Sequence, residues 1–376
     1  IPDVVLRTGN PSTTGSTEHP YSGVPTHDLT GGNVWSPTIL ASAVTGSPNY
    51  DPVNAALLGQ GANVLTLDLT QGLGPNPVAL LDGAARAGQN LLDAAAIQNL
   101  SYDTGTGALS FRIQNQTGHK LISGYPEGRR IFVTIRVLDA AQNVLYKVNP
   151  YDNTVGTLKG LPNSPNSPPL GPNEVYLDDL VYEMKTRSSL TNEPTTFHFA
   201  LSDSRYKDNR IPPKGFDISG AAARLAQPVW QGQNAPNYFT AAEYAGGYDY
   251  LRLNVAPGGN RVEVVLNYQI TSREYVEFLR DEINGTGHLT LPDPNPGTPT
   301  INEAYIVQTD PFFTKLKAWG DTLWQLWLHN KDLPGAAPVV MTQAVYQVAP
   351  SCNYADVQPN ADHSNPALCD QDVDIA

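Results

Sequence analysis

The sequence predicts a mainly β fold, in which antiparallel, sandwich-like sheets carry about three flanking α-helices and long loops rich in Pro, Gly and Asn. The 376 residues include 32 Pro and 32 Gly, and only 16% are charged, which is typical of short strands joined by ordered loops. Several segments alternate apolar and polar residues, as in Leu109, Phe111 and Ile113. This period of two is the pattern of a half-buried antiparallel strand.

Composition shifts along the chain predict four parts. The beginning is rich in Gly, Pro, Ser and Thr, which favours an extended segment. The end is rich in Asn, Asp and Pro and holds both cysteines. We expect an extended N-terminal arm at 1–60, a helix plus a first β-sheet module at 61–175, a second β module with two helices at 176–348, and a disulfide-closed tail at 349–376.

In the first module, apolar residues recur at helical spacing from Pro77 to about Ala96, and Pro77 suits the first turn of a helix. A further strand follows at 131–137. A Pro- and Asn-rich insertion at 149–173 cannot supply regular ladder donors, so we expect it on the surface.

In the second module, TTFHFALSD predicts a strand with His198 on its outer face. The strings YDYLRLNV and RVEVVLNYQI flank Gly258 and Gly259, which predicts a hairpin. Thr271 and Glu274 have capping-box spacing ahead of a helix. A last helix is expected after 310, followed by a final strand.

The net charge of −13 and pI near 4.9 exclude a protein that binds nucleic acid through its phosphates, since that requires a basic face. No apolar run reaches the roughly 20 residues that span a bilayer. Ile1 begins without Met or a signal-like segment, so we expect a processed or trimmed chain. Cys352 and Cys369 predict a disulfide worth about 3 kcal/mol, with a pair of free thiols as the alternative. The expected location is extracellular, cell-surface or periplasmic.

Known catalytic motifs are absent from the sequence. No HExxH, Gly-x-Ser-x-Gly, Walker A or supported GxGxxG string occurs, and no Cys-x-x-Cys-His run that would attach haem covalently. The seven histidines lack the three- or four-residue spacing of a local metal site, which disfavours non-covalent haem or copper. Asp178, Asp179, Asp370, Asp372 and Asp374 are candidate calcium ligands or solvated surface.

The most unusual string is NQTGHKLISGYPEGRR at 115–130, which places a histidine and two arginines between two predicted strands. A second, FHFALSDSRYKDNRIPPKGF at 197–216, sets a charged cluster before a rigid Pro-Pro turn. We expect either an ordered loop held by an Asp–Arg pair or a binding surface. The candidate binding or loop-bracing residues are His27, Asn33, His119, Arg129, Arg130, Asp208 and Arg210; none is assigned a catalytic role.

These strings, together with THDLTGGNVW at 26–35, resemble in content and order the haem-free C-terminal part of large secreted bacterial multihaem c-type cytochromes, over about residues 26–335. The resemblance implies an exported protein associated with electron transfer, in which His27 and His119 match family histidines beside haems. The haem-attachment motifs are absent from this chain. The haem-bearing segment therefore lies on another chain or upstream of Ile1, or the chain is a haem-free relative.

Three hypotheses follow. The chain is a structural or interaction protein of the cell surface, which docks a haem-bearing cytochrome or copies of itself as a filament subunit, with the IPDVVLR segment completing a neighbour's sheet. Alternatively, it is an electron-transfer component that binds haem or copper non-covalently. The third hypothesis is a secreted carbohydrate-active enzyme or other hydrolase, which acts on saccharide or another small substrate through carboxylates such as Asp178, Asp179 or Glu183. Glycosylation sequons stand at Asn99, Asn115 and Asn284.

Overall fold

The computed structural model describes residues 6–8, 17–19, 31–60, 74–121, 126–284 and 311–348. The fold is mainly β with sandwich-like sheets, as the sequence predicts. Within the described ranges there are seven α-helices rather than about three, because four short helices lie in segments without clear periodicity. The helices are α1 (Trp35–Ser42), α2 (Pro52–Leu58), α3 (Pro77–Asp93), α4 (Ile218–Ala223), α5 (Ala241–Gly246), α6 (Arg273–Asn284) and α7 (Pro311–His329).

The described strands are numbered in chain order. They are β1 (Leu6–Thr8), β2 (Thr17–His19), β3 (Ala95–Tyr102), β4 (Ala108–Asn115), β5 (Arg130–Leu138), β6 (Val144–Val148), β7 (Tyr151–Asp152), β8 (Thr157–Leu158), β9 (Glu174–Val175), β10 (Val181–Tyr182), β11 (Met184–Ser188), β12 (Glu193–Thr196), β13 (Ser204–Asp208), β14 (Val229–Trp230), β15 (Gln233–Asn234), β16 (Tyr248–Asn254), β17 (Arg261–Gln269) and β18 (Val339–Gln347).

The central sheet has the order β18-β17-β5-β6-β9, and β10 pairs with the start of β5. All pairs are antiparallel except β6 with β9. Strand β5 is buried along almost its whole length because it lies between neighbours in the middle of the sheet. Pairing of β5 with β17 crosses residue 175, where the sequence predicted a boundary between modules. One hydrophobic core contains residues from both sides of that boundary.

A second sheet, β16-β4-β3, contributes its inward face to the same core. Leu109, Phe111 and Ile113 of β4 are fully buried, as their alternation predicts. At one end, Tyr102 packs edge-on against Tyr346 of β18 with 5.5 Å between ring centroids, and its hydroxyl donates to Ala256 O at 2.6 Å. These contacts join the two sheets.

The hairpin predicted around Gly258 and Gly259 is wrong. Strand β16 pairs with β4, whereas β17 pairs with β5 and β18, so the turn between them carries the chain from one sheet to the other. Gly258 has the positive φ of 77° that the sequence suggested. Two glycines thus report a tight turn, but they do not determine which strands pair on either side of it.

The extended arm predicted for 1–60 does not describe residues 35–58, which form α1 and α2. Trp35 is buried and donates its indole N–H to Asn330 O at 3.3 Å. Asn54 of α2 and Asn330 exchange side-chain hydrogen bonds in the interior. Two polar pairs therefore fix this segment to the end of α7. Further upstream, β1 pairs with β2 of its own chain in a two-stranded sheet.

Two local predictions in the second half also need correction. Thr271 and Glu274 do not form a capping box, since α6 begins at Arg273 and the Glu274 carboxylate contacts Arg130 instead. His198 does not lie on the outer face of a strand, because the chain turns into a short 3-10 helix after it. Its ring packs against Phe278 and lies 3.5 Å from a Glu282 oxygen.

The tail with Cys352 and Cys369, and the candidate calcium ligands within it, lie outside the described residues. Among the described helices, none combines the length and the hydropathy required to cross a membrane.

A buried acid lies on the inner side of β16. Asp249 accepts a hydrogen bond of 2.7 Å from the hydroxyl of Tyr182, which is completely buried. Burial raises the pKa of Asp249 to about 7, and the charges of Glu243 and Asp179 act in the same direction, while the Tyr182 hydrogen bond lowers it. Folding therefore favours the protonated form of this carboxyl group.

We predict that Asp249→Asn stabilises the protein at pH 8.5 by a few kcal/mol and has little effect below pH 4. The stability contributed by protonated Asp249 is complete below its ordinary pKa of 3.8 and is lost as the pH rises through about 7, each pKa unit being worth about 1.4 kcal/mol. An asparagine is never ionised and can still accept from Tyr182. The measurement is the free energy of unfolding in urea at both pH values. Asp82→Asn, an exposed helix position, is the control, and an equal effect of Asp249→Asn at both pH values would contradict the prediction.

Candidate functional site

The loop that follows β4 is anchored by the side chain of Asn115. This amide is buried and donates to the carbonyl oxygens of His119 at 2.8 Å and Ile211 at 3.1 Å. Its oxygen accepts from the backbone and the hydroxyl of Thr117, both at 2.8 Å. Leu121 N also donates to Ile211 O. The two unusual strings of the sequence therefore lie against one another.

At this contact, the carboxylate of Asp208 is surrounded by three cations. Asp208 lies at the end of β13, and its side chain is 1% exposed. It accepts from Lys120 Nζ at 2.9 Å, from Arg205 Nη1 at 2.9 Å and from two nitrogens of Arg210 at 2.8 and 3.0 Å. The fork of Arg210 thus binds both carboxylate oxygens, the geometry of a strong charge-assisted pair.

These contacts decide the ionisation of Asp208. Burial alone raises its pKa, but the hydrogen bonds and charges of Arg210 and Lys120 outweigh burial and hold the pKa at about 2. Burial and the neighbouring Arg210 charge lower the pKa of Lys120, although Asp208 opposes them. The carboxylate of Asp208 is therefore a permanent anion at neutral pH.

Glu127 lies in the same loop and is 4% exposed. Neither of its carboxylate oxygens has a hydrogen-bond partner among the residues that the structure describes. Burial raises its pKa, against which the charges of Arg129 and Arg210 act. It supplies a second acidic group beside the cations that surround Asp208.

A second network lies on the neighbouring residue of β13. Lys207 is 1% exposed and donates to the Asp178 carbonyl and carboxylate, both at 2.9 Å, and to Glu183 Oε1 at 3.1 Å. Lys185 of the adjacent strand lies 2.9 Å from the same Glu183 oxygen. Burial raises the pKa of Glu183, but the two lysines outweigh it and bring the value to about 2.

A third network is built on Arg130, the first residue of β5. Its guanidinium donates to Gln269 Oε1 at 2.8 Å and to Thr157 Oγ1 at 3.3 Å, and lies 3.3 Å from Glu274 Oε2. Thr157 donates in turn to the other Glu274 oxygen. The second arginine of the pair is thus engaged inside the protein, by β17 on one side and α6 on the other.

Between the second and third networks lies a cavity of about 110 Å³. Charged groups of both signs line it together with apolar side chains. The residues that line it include Arg129, Arg130, Glu183, Lys185 and Glu274, with Ser164 and Phe197 at its edges.

The arrangement does not fit hydrolysis by a carboxylate pair, which requires one carboxyl group to stay protonated near neutral pH. The pKa of Glu183 is lowered, not raised. Asp178 accepts from Lys207 and from the Tyr176 hydroxyl, and Asp179 lies 3.4 Å from the Tyr238 hydroxyl. Each carboxylate suggested for catalysis therefore already has a donor from its own chain.

The candidate residues do not form one constellation. His27 lies outside the described residues. Asn33 accepts from the backbone N–H of Ser36 at 3.0 Å, at the start of α1. His119 is exposed, with its Nδ1 2.9 Å from Lys120 O. Among the candidates that the structure describes, Asp208 and Arg210 form a direct pair.

Sequence reasoning missed Lys120, Lys185 and Arg205. It placed Lys207 in the charged cluster before the Pro-Pro turn, and it assigned Glu274 to a capping box and not to an ion-pair network. A signal was present, because VYEMK and SRYKDNR both carry charged residues inside segments otherwise patterned as strands. Adjacent strands align these charges, with Lys185 opposite Lys207. Within the described ranges, no group of three or more His, Cys, Asp or Glu side chains is arranged to hold a metal ion.

Comparisons with known proteins give little. No protein-family model matches the chain, and no curated protein matches it. Among solved structures, a penta-heme cytochrome c552 from Thermochromatium tepidum is similar at 12% sequence identity and a TM-score of 0.35. The alignment covers 79% of this chain and 50% of the cytochrome chain, so the chain spans half of that protein's length. A TM-score of this size carries no inference about function.

We predict that Asp208→Asn destabilises the protein by about 3 to 5 kcal/mol at pH 7, because removal of one partner leaves buried charges unpaired. The stability due to the carboxylate is complete above its ordinary pKa of 3.8 and is lost as the pH falls through about 2. The difference in the free energy of unfolding between Asp208→Asn and the parent therefore becomes smaller as the pH falls through that range. Urea unfolding measures it. Asp332→Asn, whose side chain is 75% exposed in a pair with Lys331, is the control, and a loss below 1 kcal/mol for Asp208→Asn would contradict the prediction.

Proposed function

We propose that the chain is a non-catalytic structural module of an exported electron-transfer assembly, which docks a haem-bearing partner or copies of itself. The observation that carries the proposal is the internal use of the motif charges. Arg130 is bonded to Gln269 and Glu274, and Asp208 to Lys120, Arg205 and Arg210. Charged side chains that are bonded to other groups of the same chain fix the conformation of loops.

This use differs from that of a catalytic site. Catalytic acids and bases need a pKa near the working pH, whereas Asp208 and Glu183 have pKa values of about 2. Asp249, with a pKa of about 7, is buried and accepts a hydrogen bond from Tyr182. Buried ion pairs of this kind cost desolvation energy and serve best where one conformation must be specified. A rigid surface loop is what a docking module requires, because little ordering entropy is then lost on association.

The association with electron transfer rests on the order of the three strings that resemble multihaem cytochromes. An exported location is supported by the same resemblance and by the composition of the chain. The net charge of −13 favours a partner that presents a basic surface, since complementary charge accelerates encounter.

A second candidate function is supported by His119. Its imidazole is exposed, and contact of Nδ1 with Lys120 O at 2.9 Å assigns the proton to that nitrogen. Nε2 is then the nitrogen with a free lone pair, as in many histidine ligands of metals. On this alternative the chain binds haem or copper non-covalently and transfers electrons itself.

The visible spectrum of the purified protein separates the two functions. For a scaffold we expect no Soret band, no stoichiometric iron or copper, and no change in either measurement in His119→Ala. His329→Ala is the matched control, since His329 is partly exposed and its Nε2 lies 2.9 Å from Asp51. A Soret band or bound copper that His119→Ala removes and His329→Ala retains would replace the scaffold by the redox function.

The self-associating version of the proposal predicts an effect of the N-terminal segment. The full chain should form polymers, and deletion of residues 1–20, which contain β1 and β2, should leave folded monomers. Light scattering after size-exclusion chromatography measures mass, and circular dichroism verifies folding. Polymers that survive the deletion, or a full chain that stays monomeric at high concentration, would exclude assembly through this segment.

A further inference from the structure

The outer face of the β16-β4-β3 sheet presents two arginines without carboxylate partners among the described residues. Residues 248, 250 and 252 of β16 alternate outward, while Asp249 points into the core. Arg112 of β4 lies opposite Tyr250 in the strand register, and Gln98 of β3 lies opposite Arg112. Three strands therefore contribute side chains to one surface groove.

Each guanidinium is held by a tyrosine ring. The Arg252 Cζ lies 4.3 Å from the centroid of the Tyr250 ring, and the Arg112 Cζ lies 4.9 Å from that of Tyr248. Cation–π contact of this kind fixes the side chain. Because the N–H groups of guanidinium lie in its own plane, contact with a ring face leaves them available to an acceptor. Arg112 uses two nitrogens on Gln98 Oε1.

Charge makes this pair unusual. The chain has 36 acidic and 23 basic residues, and the cations around Asp208 and Glu183 all have carboxylate partners. Arg112 and Arg252 are instead diagonal neighbours on adjacent strands, a position in which the Cβ atoms lie somewhat less than about 7 to 8 Å apart. Like charges at this separation repel, and an anion between them would relieve the repulsion.

Glu243 also lines the groove, but its carboxylate is committed to the backbone. One oxygen accepts from Tyr250 N at 2.9 Å and the other from Thr240 N at 2.6 Å, in the capping box of α5. Glu243 is 8% exposed. It offsets part of the positive charge without contributing a hydrogen bond to either arginine.

We propose that this groove binds a carboxylated sugar of the uronic-acid class, a function beyond the scaffold role. The groove is open to solvent and has a volume of about 400 Å³, which is larger than a lone inorganic anion requires and within the range of small-ligand sites. The arginines receive the carboxylate, and the exposed Asn99 amide and Thr240 hydroxyl, which also line the groove, provide neutral polar groups suited to sugar hydroxyls. The open face admits either a free sugar acid or the end of a polymer.

The test is titration calorimetry of the full chain with digalacturonate, galacturonate, the uncharged dimethyl ester of digalacturonate, and triglutamate. We expect binding of digalacturonate, at least tenfold weaker binding of the ester, and at least tenfold weaker binding of digalacturonate by Arg112→Gln/Arg252→Gln. Galacturonate that binds as tightly as digalacturonate identifies a free sugar acid as the ligand, and tighter binding of digalacturonate identifies a polymer end. The control Arg187→Gln/Arg224→Gln changes net charge equally at two exposed residues outside the groove and should bind as the parent does.

Arg252→Gln alone guards against misfolding, because among the described residues the ring of Tyr250 is the one contact of this exposed guanidinium, and its loss should leave the melting temperature unchanged. Arg252→Gln should weaken the binding of digalacturonate at least threefold. The proposal is overturned by any of four results: no binding of digalacturonate, equal binding of the ester, double-variant affinity within twofold of the parent, or tighter binding of triglutamate, which would assign the groove to an acidic peptide.

Discussion

The buried carboxylate of Asp208 is the interaction on which the loop architecture depends. It connects two separate pieces of chain, since Lys120 comes from the loop after β4, whereas Arg205, Asp208 and Arg210 belong to β13 and the residues directly after it. A carboxylate has about four acceptor positions, and here four nitrogen atoms of three side chains contact its two oxygens. No apolar residue could supply this directional constraint, because hydrophobic contact does not select one geometry.

The two neighbouring networks hold other elements together in the same way, through buried ion pairs. Lys207 and Glu183 join β13 to β10 and β11, and Arg130 joins β5 to β17 and α6. Each ion pair lies where a loop or short strand leaves the hydrophobic core. Burial of charges is costly, and a well-packed apolar replacement is often as stable. Their value here is that they position irregular segments, which have too few ladder hydrogen bonds to position themselves.

The fold class and the long strands were accessible from sequence because period-two alternation records burial directly, as at Leu109, Phe111 and Ile113. The helix from Pro77 was accessible for a similar reason, since its apolar residues recur at helical spacing and Pro77 suits its first turn. The pairing partners of the strands were not accessible from sequence, because Gly258 and Gly259 show where the chain turns but not which sheet it enters. Glu274 satisfied the spacing of a capping box, yet Arg130, 144 positions earlier, was the stronger partner. The Asp208–Arg210 pair is local and was anticipated, whereas Lys120 is brought to it only by folding.

The folded structure around Asn115 affects whether this residue can be glycosylated. As text, Asn115-Gln116-Thr117 is an acceptor sequence for N-linked glycan, but its amide nitrogen donates to two carbonyls in the interior. A transferase could reach that nitrogen only on an unfolded chain, and an attached sugar would then prevent the loop from closing. In a host that glycosylates asparagine, the fraction of molecules carrying sugar at Asn115 would therefore report the rate of glycosylation relative to the rate of folding.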